Sequence, residues 1–282
     1  MKFIILLMAL ALSFNAFSET IRDQIHSLDK GKNGQDHLVK LNTGRVAFID
    51  FYEKSVLREI EASMNRNDWL ELKLGRKSEL EEFKIISPEE VDRSSSIEPV
   101  KIQDPYTPSV VTSAKATSIF NKMRQKWTTK GQCFNRAHIW TYEEHKRSGL
   151  NSNKVFLFFT SRYIRNYRFG WWFHVTPMVY VGGTKNLNMR MLDRRYTSGP
   201  RTSKTWTDIF IKSKTTCPII SKYSYYRDNQ RSRDCYLLPT SMYYLVPSDI
   251  DRREYDGAER TSYDELDIVH AYWDAFQISQ SR

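Results

Sequence analysis

Three residue types that can together attack a carbonyl group occur in settings that suit the work: Cys133, His174 and Asp193. Cys133 follows Gly131, a helix breaker, and opens a segment with helical spacing. Its sulfur would therefore sit where the helix dipole and free N–H groups stabilise a thiolate. His174 lies in Trp172-Phe173-His174-Val175 and Asp193 closes Met191-Leu192-Asp193, each on its own strand candidate. A thiol is weakly ionised at neutral pH, so a neighbouring imidazole must take its proton; the imidazolium then protonates a leaving ammonia or amine. A carboxylate would hold the ring in the right tautomer, and N–H groups at the helix start would form an oxyanion hole. The bare order Cys, His, Asp also fits a buried thiol, a core histidine and a strand-end carboxylate, and spacing alone leaves both open.

The flanking pattern supplies the elements that must position these groups. Apolar residues Ile119, Phe120, Met123 and Trp127 predict a helix over 112–127, Gly131-Gln132 breaks it, and a second helix runs over 133–146. Strand candidates follow at 154–160, 170–181 and 188–193. A helix followed by strands without helical patterns between them is an α+β order with an antiparallel sheet. A nucleophile on a helix N-terminus, a base on one strand and a carboxylate on the next is the papain-like and transglutaminase-like arrangement. Between the first two strands, Arg162, Arg165 and Arg168 alternate with Tyr163, Tyr167 and Phe169. Such interleaving can bind single-stranded nucleic acid, but no recognised nucleic-acid motif accompanies it, and the segment reads as a solvated loop. Trp171 and Trp172 fall on opposite strand faces, one for the core and one for a cleft wall. His138 reads as structural, His145 and His270 as surface or satisfied residues, and Arg136 as a support for the thiolate or a tie to a neighbouring loop.

The 282 residues are 40% hydrophobic and 13% aromatic, enough for a packed core and against a disordered chain. The net charge of +10 favours acidic partners without choosing among nucleic acid, anionic surfaces and acidic proteins. Residues 1–18 read as a signal peptide: Lys2, an apolar run from Phe3 to Phe14, then Ala16-Phe17-Ser18 at a cleavage site, so the chain is expected to be exported. The run is too short to span a bilayer comfortably, and no membrane span follows. Residues 19–110 carry 14 Lys/Arg against 18 Asp/Glu; residues 111–248 carry 24 against 6, and 249–282 turn acidic with 4 against 9. A Ser- and Pro-rich linker at 94–108 joins two domains, 19–105 and 106–282.

The first of these reads as a small α+β unit. It has a strand at 45–52, a helix at 54–65, an alternating strand at 68–74, a short strand at 83–86, and a helix start at Ser87-Pro88. His26 and His37 read as surface residues. Of the three cysteines, Cys217 and Cys235 are expected to pair in an oxidising compartment, leaving Cys133 as an unpaired thiol to be explained. There is no CxxC pair for a structural zinc, and neither metal nor cofactor is expected.

The residues around the three groups are more specific than their order. Cys133-Phe134-Asn135-Arg136-Ala137-His138 resembles the Cys-aromatic-x-Arg-Ala-His that opens the central helix of bacterial protein-glutaminases, which deamidate protein-bound glutamine. Trp171 to Val175 is similar to that family's Trp-x-aromatic-His-Val strand, and Asp193, Ser198-Gly199-Pro200 and Trp206 to its Asp segment. Phe51-Tyr52-Glu53, the following helix, the 69–74 strand and Ser87 to Val91 resemble its pro-region, so the likeness covers roughly 45–210. The family carries proline after the Asp where this chain has Arg194, has more cysteines in its catalytic domain, and offers no counterpart to the basic 111–248 segment or the acidic tail.

The resemblance implies that Cys133 is the nucleophile, His174 the general base and acid, and Asp193 the orienting residue. It also implies that 19–105 is a pro-like segment occluding the cleft. The expectation is a transglutaminase-like or papain-like α+β catalytic domain at 106–282, acting as a monomer on glutamine side chains of proteins or peptides. Its basic charge favours acidic substrates. The same triad would serve a transglutaminase or a cysteine protease, and the non-enzymatic alternative is a basic exported protein binding an anionic surface or polymer.

Overall fold

A computed structural model describes residues 18–87, 106–125, 132–230, 232–256 and 260–280, with the backbone alone for 276–280. The signal peptide, most of the 94–108 linker, Trp127, the Gly131 break and the helix start at Pro88 lie outside the described residues. Among those described, no helix is long and apolar enough to cross a membrane.

The N-terminal unit contains β1 (Glu19–Asp23), β2 (Ile25–Asp29), β3 (His37–Leu41), β4 (Val46–Ile49), α1 (Lys54–Arg66), β5 (Trp69–Leu74) and β6 (Leu80–Ile86). They form two three-stranded antiparallel sheets, ordered β1-β5-β6 and β2-β3-β4. In β5 the alternation works as the sequence implies: Leu70, Leu72 and Leu74 enter a core with Ile21, Val39, Ile49 and Ile60, while Trp69, Glu71 and Lys73 face outward. Strands β1 to β3 had no sequence expectation, because polar and glycine residues interrupt their apolar runs. The surface reading of His26 and His37 fails with them. His37 is buried, and His26 stacks on Trp172 with ring centroids 4.3 Å apart.

The C-terminal part contains β7 (Val110–Val111), α2 (Ser113–Lys122), α3 (Cys133–Ser148), β8 (Asn153–Phe159), α4 (Ser161–Tyr167), β9 (Phe173–Val181), β10 (Met189–Met191), α5 (Ser203–Phe210), β11 (Cys235–Ser241), α6 (Pro247–Asp256) and α7 (Glu265–Gln280). The mixed α+β architecture holds. The sheet order β10-β9-β8-β11 is antiparallel throughout, while β7 adds one parallel pairing at the end of β9. Every residue of β8 is buried, which explains its unbroken apolar run. The same strand begins with a fully buried lysine, Lys154, whose ammonium donates to Tyr244 O at 2.7 Å and meets His138 Nδ1.

The predicted loop at 162–169 is instead helix α4, capped by the Thr160 side chain accepting from Tyr163 N. Two of the three arginines reach the N-terminal unit, Arg165 pairing with Asp29 and Arg168 with Asp36, while Arg162 lies 3.7 Å from Asp234. Cys217 and Cys235 are bonded, enclosing a separation of 18 residues. Closing a loop of that size is worth about 3 kcal/mol in the chain-entropy account. Cys235→Ser is therefore expected to lower urea-unfolding stability by about that amount; an unchanged midpoint and slope would show that the bond constrains nothing.

The two units share a core. Leu38, Val46 and Phe48 pack into the cluster containing Cys133, Phe158, Trp172 and Phe173. The turn between β3 and β4 pairs with the approach to β9: Trp172 N donates to Gly44 O at 2.8 Å, Val46 N to Gly170 O at 3.2 Å, and Trp172 Nε1 to Leu41 O at 2.7 Å. Lys40 of β3 adds a salt bridge to Asp228 at 2.5 Å.

Candidate active site

Helix α3 begins at Cys133. Its N-cap, Gln132, makes no side-chain cap bond, and its first turn carries no acidic residue. The thiol thus meets the positive end of the helix with no carboxylate competing there. On β9, His174 projects towards the same place, and Asp193 follows the end of β10. The structure brings the three together. His174 Nε2 lies 2.7 Å from Asp193 Oδ2, and the Cys133 thiol hydrogen-bonds the same imidazole. With Nε2 committed to the carboxylate, Nδ1 is left to take the thiol proton.

Sequence reasoning gave no role to the residues that frame this triad. Trp206 Nε1 donates to Asp193 Oδ2 at 2.9 Å, so one carboxylate oxygen serves both ring N–H groups. The His174 ring lies 4.6 Å from that of Phe210 and 5.3 Å from that of Tyr196. Phe210 and Trp206 both come from α5, whose N-cap Thr202 accepts from Thr205 N. The Ser-Gly-Pro stretch and Trp206 were legible as a block but not as a hydrogen-bond donor and an aromatic wall. Arg194, which stands where the resembling family has proline, donates to Phe120 O at 2.7 Å and lies over the Phe120 ring, tying α2 to the Asp193 segment. Of the two tryptophans, Trp172 is fully buried, while Trp171 is partly exposed beneath the Arg45 guanidinium. His138 faces Lys154 and the Tyr263 ring, in keeping with a packing role.

The electrostatics favour a thiolate–imidazolium pair. Burial alone would push the Cys133 thiol up, but the hydrogen bond and charge of His174, with Arg136 and the Val175 amide, bring it below its ordinary value. Burial opposes the imidazolium too, yet the Asp193 carboxylate and the Cys133 sulfur raise His174 to about 9. Asp193 itself, despite burial, is held below the usual carboxylate range by His174, Trp206 and Arg136. These shifts fix the sign of the pH dependence. The histidine's contribution to stability is complete below its ordinary value of 6.5 and is lost as pH rises through about 9. With the protein cut within 94–108, Cys133 alkylation by iodoacetamide should stay fast well below the usual thiol range. In His174→Ala it should retreat to that range or above, because only burial and the weaker partners remain. Identical profiles for the two proteins would dissolve the pair.

The site is closed in the intact chain: Cys133 is 3% exposed, His174 6% and Asp193 2%. The Leu41–Arg45 turn lies against Phe173, the residue before His174. Gly44 has φ of +90°, and a Cβ there would stand 2.9 Å from the Phe173 ring. Asp23 holds the turn by accepting from Thr43 N at 3.0 Å and from the Thr43 hydroxyl. Asp23 also feels the charge of Asp274 on α7, whose carboxylate takes a hydrogen bond from Asn135 in the first turn of α3.

Comparison with known proteins agrees with the sequence resemblance. Residues 109–210 match the protein family described as glutaminase (Gln_deamidase_2). The fold is similar to a crystal structure of pro-protein-glutaminase, with TM-score 0.50 and 16% identity over 94% of this chain and 95% of that one. A mutant of a pro-protein-glutaminase matches at TM-score 0.49 and 17% identity, over 80% and 83%. An NMR structure of protein-glutaminase from Chryseobacterium proteolyticum covers 49% of this chain and 77% of its own, with TM-score 0.33 and 17% identity. No curated protein matches the sequence. The matched segment contains Cys133, His174 and Asp193.

Proposed function

We propose, from this family match and fold likeness, that the chain is an exported thiol amidohydrolase converting glutamine side chains of proteins to glutamate, with a transglutaminase-like catalytic unit held closed by residues 19–105. The observation that carries the reading is the linked Cys133, His174 and Asp193 inside the family-matched segment. The Cys133 thiolate attacks the carboxamide carbon, and first-turn amides of α3 are placed to receive the oxyanion. The His174 imidazolium gives its proton to the departing nitrogen, so ammonia leaves and a thioester remains. A water molecule then attacks the thioester, imidazole takes its proton, and the S–C bond breaks to release glutamate and restore the thiolate–imidazolium pair. Asp193 keeps Nε2–H in place throughout. A second amine in place of water would make the reaction a transglutaminase's, and a backbone amide would make it a protease's.

Closure of the site supports the pro-like role of the N-terminal unit, as does a fold likeness to a pro-protein that runs over nearly the whole chain. The deciding experiment is ammonia release from a denatured glutamine-rich protein, before and after limited proteolysis within 94–108. Release that rises on cutting, without substrate cleavage or cross-linking, is the expected result. Peptide fragments would indicate a protease, amine incorporation a transglutaminase, and no product at all a binding protein.

A further inference from the structure

We propose that Arg165 and Arg168 form the docking site for acidic side chains of the substrate, occupied in this structure by the chain's own Asp29 and Asp36. The inference rests on the occlusion reading above and names the kind of substrate the opened site selects. Arg165 Nη1 lies 2.5 Å from Asp29 Oδ2 and its Nη2 donates to Asp29 O at 3.2 Å, while Arg168 Nη2 lies 2.5 Å from Asp36 Oδ2. Both arginines are presented by α4 and its C-cap. Arg168 is the C-cap of α4, at φ of 46°, with its guanidinium 4.3 Å from the Phe48 ring centroid. Arg165 Nε is buried with no partner among the described residues.

Helix α4 is also fastened to the active-site wall: Tyr163 OH donates to Phe210 O at 2.6 Å, and Phe210 stacks beside His174. Strand β3 spans the distance between the two places. One end follows Asp36, and the other leads into the turn that sets Gly44 on Phe173. At about 3.3 Å per residue, the five steps from Asp36 to Leu41 separate the acidic group from the start of that turn by roughly 17 Å. A cleft of about 580 Å³ opens along this seam, lined by Asp29, Lys32, Arg162, Arg165 and Asp228. When the N-terminal unit leaves, it takes Asp29, Asp36 and the Phe48 ring with it; helix α4, still fastened to Phe210, keeps both arginines on that face without counter-charges, and an acidic peptide can satisfy them by the same bonds.

The test uses the full chain carrying Asp29→Asn and Asp36→Asn, which frees the arginines without removing the unit. Fluorescent poly-L-glutamate is expected to bind this protein in a salt-sensitive manner. Adding Arg165→Gln and Arg168→Gln should weaken binding about tenfold, and Arg165→Lys with Arg168→Lys should keep most of it. No binding to the aspartate variant, or equal binding after the glutamine changes, overturns the proposal. In parallel, kcat/KM is compared for two glutamine peptides, one with glutamates and one with serines N-terminal to the target. A ratio of roughly five to ten that collapses to about one with the glutamine changes supports the site, and an unaltered ratio defeats it. If neither peptide releases ammonia while arginine-dependent glutamate binding persists, the docking site stands and the deamidase reading falls.

Discussion

Cys133→Ala is expected to reduce ammonia release by the linker-cut protein at least about 10⁴-fold while leaving the melting temperature within a few degrees of the parent. No other thiol among the described residues is free, since Cys217 and Cys235 are bonded to each other. Removing a nucleophile costs nearly the whole of the triad's rate advantage, because the other members then have nothing to activate. His174→Ala is expected to be as inactive and also less stable, since it leaves the Asp193 carboxylate buried at 2% exposure without its cation. Asp193→Asn keeps the packing and loses the charge, so it retains a remainder, about 10²- to 10⁴-fold below the parent. Full ammonia release by Cys133→Ala would discard the catalytic assignment outright.

Gly44→Val is expected to raise the activity of the uncut chain at least tenfold, towards that of the linker-cut protein. Two causes act in the same direction. A β-branched residue is strained at φ of +90°, and its Cβ would press on the Phe173 ring at 2.9 Å. The turn must then lift from the approach to β9, carrying away the hydrogen bonds to Trp172. Asp23, which clamps the same turn, offers a milder version: Asp23→Ala removes the acceptor for Thr43 and should loosen the turn without a clash. If Gly44→Val stays folded and neither it nor linker cutting raises activity, residues 19–105 are a permanent accessory unit.

The sequence was most legible where a single physical rule governs a residue. The α3 start at Cys133, the alternation in β5 and the β9 strand around His174 follow from a glycine break and apolar periodicity. The three residues that the structure brings together depended on more than pattern, since order and spacing alone also fitted a core histidine; the flanking blocks carried the resemblance that singled them out. What escaped the sequence was long-range pairing. His26 looked like a surface residue because nothing local shows that Trp172, far along the chain, covers it. The arginines of α4 looked solvated because their carboxylate partners lie on the other unit. Trp206 was visible as an aromatic landmark, yet its N–H became meaningful only once Asp193 was placed beneath it.

The hydrophobic cluster shared by the two units bears on how long the molecule survives. Leu38, Val46 and Phe48 are buried among residues of the β8–β9 sheet, so the chain should melt in one cooperative calorimetric transition. Departure of the N-terminal unit would take those three side chains out of the cluster and bare Trp172 to water. Each large apolar group so uncovered costs about 1.5–3 kcal/mol. A chain stripped of residues 19–105 should therefore denature at lower temperature and aggregate sooner than the full chain.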